Sequence, residues 1–219
     1  MPSFTPSRMV LACASLTLVS ACFTGPRPTL EPSDTLAPLD DPAARAVVDS
    51  LSMSTTTSFT IEYEILTKFG GATTSAVVAF DPVLGTSVEI GDTRYLYSAQ
   101  GTTTTCTVST TDCSAGIDET RVSDRQLTST FFKQSANERI RQDVRVAVAP
   151  ASGYPSTAAD RATTCADFTV VDTTGASRTK TYCAFDDVHV IAIMDTADLS
   201  ISARSFTESV DLALFQPPG

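Results

Sequence analysis

Phe59, Ile61, Tyr63 and Ile65 alternate with Thr60, Glu62 and Glu64. A period of two places the apolar set on one face of a strand and the polar set on the other, which faces water. Just upstream the period is helical. Ala44, Val47, Val48 and Leu51 recur on one side, with Arg45 and Asp49 opposite, and Asp41-Pro42 supplies an N-cap followed by proline at the first helical position. A helix is therefore predicted to lead into the first strand.

Gly70-Gly71 marks a turn, and Ala76-Val77-Val78-Ala79-Phe80 is the returning strand. Pro82 and Gly91-Asp92 bound a third strand around residues 87–90, and Arg94-Tyr95-Leu96-Tyr97 opens a fourth. Across residues 126–141, from Gln126 to Arg141, Phe132, Ala136 and Ile140 share one helical face, which predicts a second helix. Residues 143–148 alternate through Val144, Val146 and Val148 and read as another strand, while residues 150–161, with Gly153-Tyr154-Pro155, read as a surface loop. In the apolar run 188–194, Val188, Val190, Ala192 and Met194 take one face of a strand, and Ile191 and Ile193 the other. Such a strand is expected to be buried on both faces. Residues 199–206 follow, and the chain closes through Leu212, Leu214 and Phe215. Many short antiparallel strands with two helices predict an α+β fold on a single curved antiparallel sheet, without an internal repeat. The apolar strand faces suit either an ordinary packed core or a ligand-lined concavity, and periodicity does not choose between them.

Ahead of this pattern lies an apolar run, residues 9–19, preceded by Arg8 and closed by Ser20-Ala21-Cys22. It is shorter than the roughly 20 residues of a spanning helix and ends in small residues, as a secretory signal does. Val19-Ser20-Ala21-Cys22 resembles the lipobox of bacterial lipoproteins. That resemblance implies cleavage before Cys22 and a diacylglyceryl group on its thiol, and two acyl chains suffice for stable anchoring. An ordinary signal peptide or a short anchor helix is the alternative reading. Pro26, Pro28, Pro32 and Pro38, with Glu31, Asp34, Asp40 and Asp41, read as an extended, self-repelling tether. The expected organisation is a signal peptide at 1–21, a tether at 22–41 and one domain at 42–219. The expected location is extracytoplasmic, held to the cell membrane by lipid.

Charge narrows the partners. The chain carries 25 acidic and 15 basic residues, a formal net charge of −10, and loss of residues 1–21 would remove Arg8 and no acid. Phosphate backbones and anionic lipid surfaces repel such a molecule, so nucleic acid is not an expected partner and the lipid must do the anchoring.

Setting aside Cys13 in the signal and Cys22 leaves four of the six cysteines, enough for two disulfides in an oxidising compartment. The midpoint between Cys106 and Cys113 falls between Ser109 and Thr110, where a two-residue hairpin turn would set the thiols opposite each other. The midpoint between Cys165 and Cys183 is Thr174, within the turn-forming Asp172-Thr173-Thr174-Gly175. Cys106–Cys113 and Cys165–Cys183 are therefore the favoured pairs. No Cys-x-x-Cys pair or neighbouring histidine supports a metal site.

Catalytic chemistry has no constellation behind it. His189, the only histidine, lies in an apolar stretch and reads as a core or rim residue. Ser177-Arg178-Thr179-Lys180 matches Ser-x-x-Lys, yet it follows the Gly175 turn, whereas that chemistry needs a helix start. Asp40-Asp41 and Asp186-Asp187 lack the regular oxygen spacing of a calcium loop. Phosphate, zinc and dinucleotide fingerprints are missing, so no cofactor, metal or enzymatic activity is expected.

Taken together, certain pieces resemble cell-envelope lipoproteins with the Lol-type carrier fold, particularly small lipoproteins of high-GC Gram-positive bacteria. They are the segment 41–51 leading to Phe59-Thr60-Ile61-Glu62-Tyr63, then Thr164-Cys165-Ala166-Asp167-Phe168, Thr181-Tyr182-Cys183-Ala184-Phe185, and the ending Asp211-Leu212-Ala213-Leu214-Phe215-Gln216-Pro217-Pro218. Ala184-Phe185-Asp186-Asp187 departs from the pattern, being more polar and lacking a glycine turn. The resemblance implies an open half-barrel with helices over its concave face, where several members bind lipids or acyl chains. On that basis the expected function is a membrane-anchored, non-enzymatic binder of a lipid or other amphiphile, lined by Phe59, Ile61, Tyr63, Ile65, Val190 and Met194. The alternative is an interaction or sensor module that contacts another envelope protein and has no small-molecule ligand.

Overall fold

Asp41 starts the first helix, α1 (Pro42–Ser52), by accepting hydrogen bonds from the Ala43 and Ala44 amides at 3.0 and 2.9 Å. Its second carboxylate oxygen accepts from the Ala151 amide at 2.7 Å, so one cap also ties the helix to a distant segment. The computed structural model describes residues 39–122, 127–172 and 174–219. Cys22, most of the tether and Gln126 lie outside the described residues.

Six strands follow α1: β1 (Phe59–Thr67), β2 (Ala72–Asp81), β3 (Gly85–Ile90), β4 (Thr93–Ser98), β5 (Thr103–Thr107) and β6 (Cys113–Ala115). After a short 3-10 turn comes α2 (Gln134–Val146), then β7 (Ser152–Ala158), β8 (Arg161–Val171), β9 (Ser177–Phe185), β10 (Ile191–Asp195) and β11 (Leu199–Thr207). All eleven join one antiparallel sheet in the order β6-β5-β4-β3-β2-β1-β11-β10-β9-β8-β7. Two meanders thus fan outward from a centre where the first strand pairs with the last.

The sheet curls. On a flat sheet the four strand spacings from β7 to β11 would measure roughly 19 Å. Yet Cα atoms of β7 and β11 approach within 8 Å, and Arg161, at the start of β8, lies 4.2 Å from the centroid of the Phe206 ring in β11 and pairs with Glu208 at 3.0 Å. The edges do not meet, which leaves an open half-barrel. Both edges are blunted against further pairing. β6 has only three residues, and β7 carries Pro155.

The concave face holds the core. Phe59, Ile61, Tyr63 and Ile65 are buried on one side of β1, while Glu62 and Glu64 are exposed on the other, as the alternation predicts. α1 lays Ala44, Val47, Val48 and Leu51 into the same cluster and packs on β7, β8 and β9. α2 packs on β8 and on α1. Residues 127–133 complete the cover: Phe131 meets Tyr63 edge to face at 5.3 Å, and the Phe132 carbonyl accepts from the Ile191 amide at 2.7 Å.

Four elements differ from the sequence expectation. The second helix starts at Gln134, not Gln126, because hydroxyl contacts among Thr128, Thr130 and Ser135 and the buried Phe131 hold the preceding residues in turns. It also continues to Val146, replacing the expected strand at 143–148. Its inner face is Ala136, Ile140 and Asp143, and the alternating Val146 and Val148 are exposed. Residues 150–161 contain strand β7, whose mostly exposed edge position leaves no hydrophobic alternation to read. The strand expected at 188–194 begins only at Ile191. Val188 and His189 lie in the preceding turn, His189 with φ 59°, and the pairing of Ile191 and Ile193 with β9 shifts register, so simple two-face parity fails.

Both favoured disulfides are present and in register, Cys106 opposite Cys113 and Cys165 opposite Cys183. The first hairpin is wider than the expected two-residue turn. Residues 108–111 loop out so that the Ser109 amide reaches the Asp92 carboxylate at 2.8 Å, and the Thr107 amide closes the loop on the Asp112 carbonyl at 2.8 Å. Replacing Cys165 and Cys183 together by alanine is expected to lower unfolding free energy by about 3 kcal/mol, through the freedom restored to the unfolded chain. Urea midpoints at unchanged slope measure this, and a loss below about 1 kcal/mol would contradict it.

Candidate functional site

The side of α2 that meets the end of α1 carries a repeat of four. Lys133, Asn137, Arg141 and Arg145 fall on one stripe, with Gln134, Glu138 and Gln142 beside it. Together with Leu51 and Ser52 they line a groove of about 630 Å³. Its polar side chains are positioned by their neighbours. Asn137 donates to the Ser52 hydroxyl at 2.9 Å and accepts from Arg141 Nε at 2.8 Å. Gln134 donates to Glu138 at 3.1 Å. Lys133 closes one end by donating to the Met53 carbonyl at 2.6 Å, and partial burial lowers its pKa.

Beneath the groove, α2 is held to the sheet by a polar contact. Asp143, 6% exposed, accepts from Lys180 Nζ and from the Tyr182 hydroxyl, each at 2.6 Å. Burial, reinforced by the Asp143 charge, pushes the Tyr182 pKa up. The residues leading into α2 are pinned separately. Glu119 accepts from the Ser129 amide at 2.9 Å and from its hydroxyl, which also meets Tyr97.

Phe59, Ile61, Tyr63, Ile65, Val190 and Met194 all lie in one core cluster, each 2% exposed or less. They sit below the helices as packed interior, and the groove is lined by other residues. Tyr63 satisfies its hydroxyl on the Ile191 carbonyl at 2.7 Å. The groove residues lie outside the sequence expectation, which reads only the apolar face of this helix, Phe132, Ala136 and Ile140. The repeat Lys133, Asn137, Arg141, Arg145 was the signal that could have found them.

The residues weighed for other chemistry have structural partners. His189 Nδ1 lies 3.4 Å from the Ser50 hydroxyl, which is also within 3.4 Å of the Phe185 carbonyl. A working nucleophile needs its base oriented by a third group, and nearby Asp187 is paired with Arg161 instead. Ser177 and Lys180 lie on extended β9, three residues apart and hence on opposite faces, with Lys180 bound to Asp143. Asp41 caps α1, and Asp186 accepts from the Thr164 hydroxyl at 2.8 Å. Among the described residues, no group of three or more histidine, cysteine or acidic side chains converges on a metal position, and no helix is long and apolar enough to cross a membrane.

No family model matches the chain, and no curated protein matches it in sequence. Among solved structures it is similar to a LolA superfamily protein from Nitrosomonas europaea, at 8% identity and a TM-score of 0.38, over 79% of this chain and 97% of that one.

Proposed function

We propose that this chain is a non-enzymatic binding protein of the cell envelope, anchored to the membrane through acylated Cys22, that takes a lipid or other amphiphile between α2 and the concave face. The observation that carries the proposal is the unequal seating of the two covering helices. α1 buries Ala44, Val47, Val48 and Leu51, whereas α2 buries only Ala136 and Ile140 among its apolar side chains. At about 1.5–3 kcal/mol for a fully buried isoleucine and less for alanine, α2 has an apolar seat of only a few kcal/mol. Elements with so few apolar contacts open locally before the rest of a fold does. Parting α2 and the residues 127–133 that lead into it from the sheet would uncover apolar surface of the concave face, including Tyr63 beneath Phe131. The 630 Å³ groove beside α2 has the size of a small-ligand pocket and supplies the entrance.

Two disulfides support an oxidising, extracytoplasmic location, and Val19-Ser20-Ala21-Cys22 supports the anchor. The interaction-module alternative draws on Phe69, 90% exposed at the β1–β2 turn beside the partly exposed Leu66, a small apolar patch.

Native mass spectrometry of protein expressed with its own signal tests both parts. The expected spectrum shows a covalent diacylglyceryl increment on Cys22 and a further lipid that leaves on gentle activation. A chain of unmodified mass rejects the anchor. Delipidated protein that takes up no fluorescent fatty-acid analogue in a saturable way rejects the binding reading.

A further inference from the structure

We infer that the half-barrel stands on the bilayer by the rim at which α1 starts, with Phe69 and a valine patch dipped among the lipid chains. This rests on the proposed anchor at Cys22 and adds the surface by which the domain meets the membrane. Register puts the entry of the chain and the apolar turns at one end of the sheet. Asp41 is bonded to the Ala151 amide, next to Ser152 at the start of β7. Ser152 pairs with Asp167, and the same level runs through Thr181, Asp195 and Ser200 to Leu66 of β1. Just beyond that level lie the β1–β2 turn, where Phe69 is 90% exposed, and the end of β8, where Val171 is exposed. The Val148 amide donates to the Thr169 carbonyl at 2.9 Å and Ala147 bridges to Val170, which brings exposed Val146 and Val148 to the same end. Both turns stand clear of the domain, since a side-chain carbon on Gly70, Gly71 or Gly175 would meet no atom within 4 Å.

The opposite rim has exposed apolar residues of its own, Val83 and Leu84 in the β2–β3 turn, and the reach of the chain decides between the two. Leu39 packs against the core and its carbonyl accepts from Arg45 Nε at 2.7 Å, so the chain is fixed to the first rim where it enters. From there back to Cys22 is a stretch of about 17 residues, and a flexible coil of that length reaches roughly 23 Å. β2 spans ten residues, roughly 33 Å, so setting Val83 on the bilayer would draw the chain out beyond that reach. Charge then fixes the kind of contact. Lys68 is paired with Asp195 at 2.5 Å and Arg178 with Asp172 at 2.6 Å, on a chain of formal net charge −10. Anionic head groups are therefore not drawn to this rim, and apolar insertion supplies the contact. Each inserted side chain is worth about tenfold in partitioning, which suffices once an anchor keeps the rim at high effective concentration.

The chain has no tryptophan, so a single introduced one is the sole indole reporter. Phe69→Trp, Val148→Trp and, as the opposite-rim control, Val83→Trp are expressed with the native signal and reconstituted into phosphatidylcholine vesicles whose acyl chains are brominated. Phe69→Trp and Val148→Trp should shift to the blue and be quenched, and Val83→Trp, at a position 73% exposed, should do neither. Added salt should leave the quenching unchanged, because it screens charge and not apolar contact. Phe69→Ser should speed transfer of the acylated protein between vesicles about tenfold, and Val83→Ser should not. Acylated Phe69→Trp that is not quenched overturns the inference, spares the anchor and leaves Phe69 to a protein partner. Quenching of Val83→Trp equal to that of Phe69→Trp overturns it by showing that neither rim is preferred, and quenching abolished by salt overturns the apolar contact. A chain of unmodified mass at Cys22 removes the anchor and this inference with it.

Discussion

Raising the pH above about 10 is expected to unfold this protein steeply, with Tyr63 and Tyr182 together contributing roughly 3 kcal/mol of lost stability per pH unit. Both side chains are 2% exposed or less, and burial raises the pKa of each well above that of a free phenol. In Tyr182 the neighbouring Asp143 charge adds to burial; in Tyr95, burial and then Glu119 act in the same direction. The sign follows from proton counts. Above the unfolded-state pKa near 10 the unfolded chain releases phenolic protons that the folded chain keeps, so rising pH favours unfolding. The stabilisation is complete below that point and is lost progressively as pH climbs towards the folded-state values. Phenolate absorbance and far-ultraviolet circular dichroism, followed in one alkaline titration, check this. Phenolate from these two tyrosines should appear only as the fold is lost. Full phenolate amplitude with native dichroism would show that neither is held protonated by the fold. Tyr63→Phe should flatten the pH dependence by about 1.4 kcal/mol per unit. At neutral pH it should cost about 1 kcal/mol for the lost bond to Ile191.

What could be read from the sequence was set by local patterns that one interaction decides. The β1 alternation was readable because over 59–65 its inner face is buried and Glu62 and Glu64 on the other face are exposed, so apolar and polar residues separate cleanly. α1 was readable because Asp41 and Pro42 mark its start and the apolar positions at helical spacing, Ala44, Val47, Val48 and Leu51, are the ones it buries. The disulfides followed from turn midpoints, which depend only on antiparallel register. The misread elements depend on distant partners. Asp143 looks like a surface residue until Lys180 and Tyr182, on β9, meet it beneath the helix. β7 is a strand because β8 supplies its ladder, and its own side chains carry little pattern. At 186–189 the turn is held by Thr164 bonding Asp186 and Arg161 pairing with Asp187, contacts invisible in a run that otherwise reads as continuous apolar strand. The candidate groove was hidden for a related reason, since the polar stripe beside the buried Ala136 and Ile140 looks like an ordinary solvated helix face until the end of α1 meets it.

Asp143→Ala is expected to cost about 4 kcal/mol and to loosen α2 before the rest of the fold, because it strands a lysine and a phenol where water is largely excluded. The Asp143 and Lys180 side chains are 9% and 21% exposed, so solvent screens the pair only weakly. The loss should come chiefly from the orphaned partners, not from the attraction itself. Replacing all three groups, as Asp143→Leu, Lys180→Met and Tyr182→Phe, is therefore expected to recover most of the stability. Urea unfolding gives the totals, and hydrogen exchange shows where the loosening lies. In Asp143→Ala, amides of α2 should exchange faster than those of α1, whose seat is apolar and untouched. Equal acceleration in both helices would show that the roof opens as one body, and the few apolar contacts of α2 would then no longer single it out as the moving cover. If α2 alone loosens, the same variant should admit a fluorescent fatty-acid analogue faster than the native chain, since the polar latch and the proposed entrance to the concave face belong to one helix.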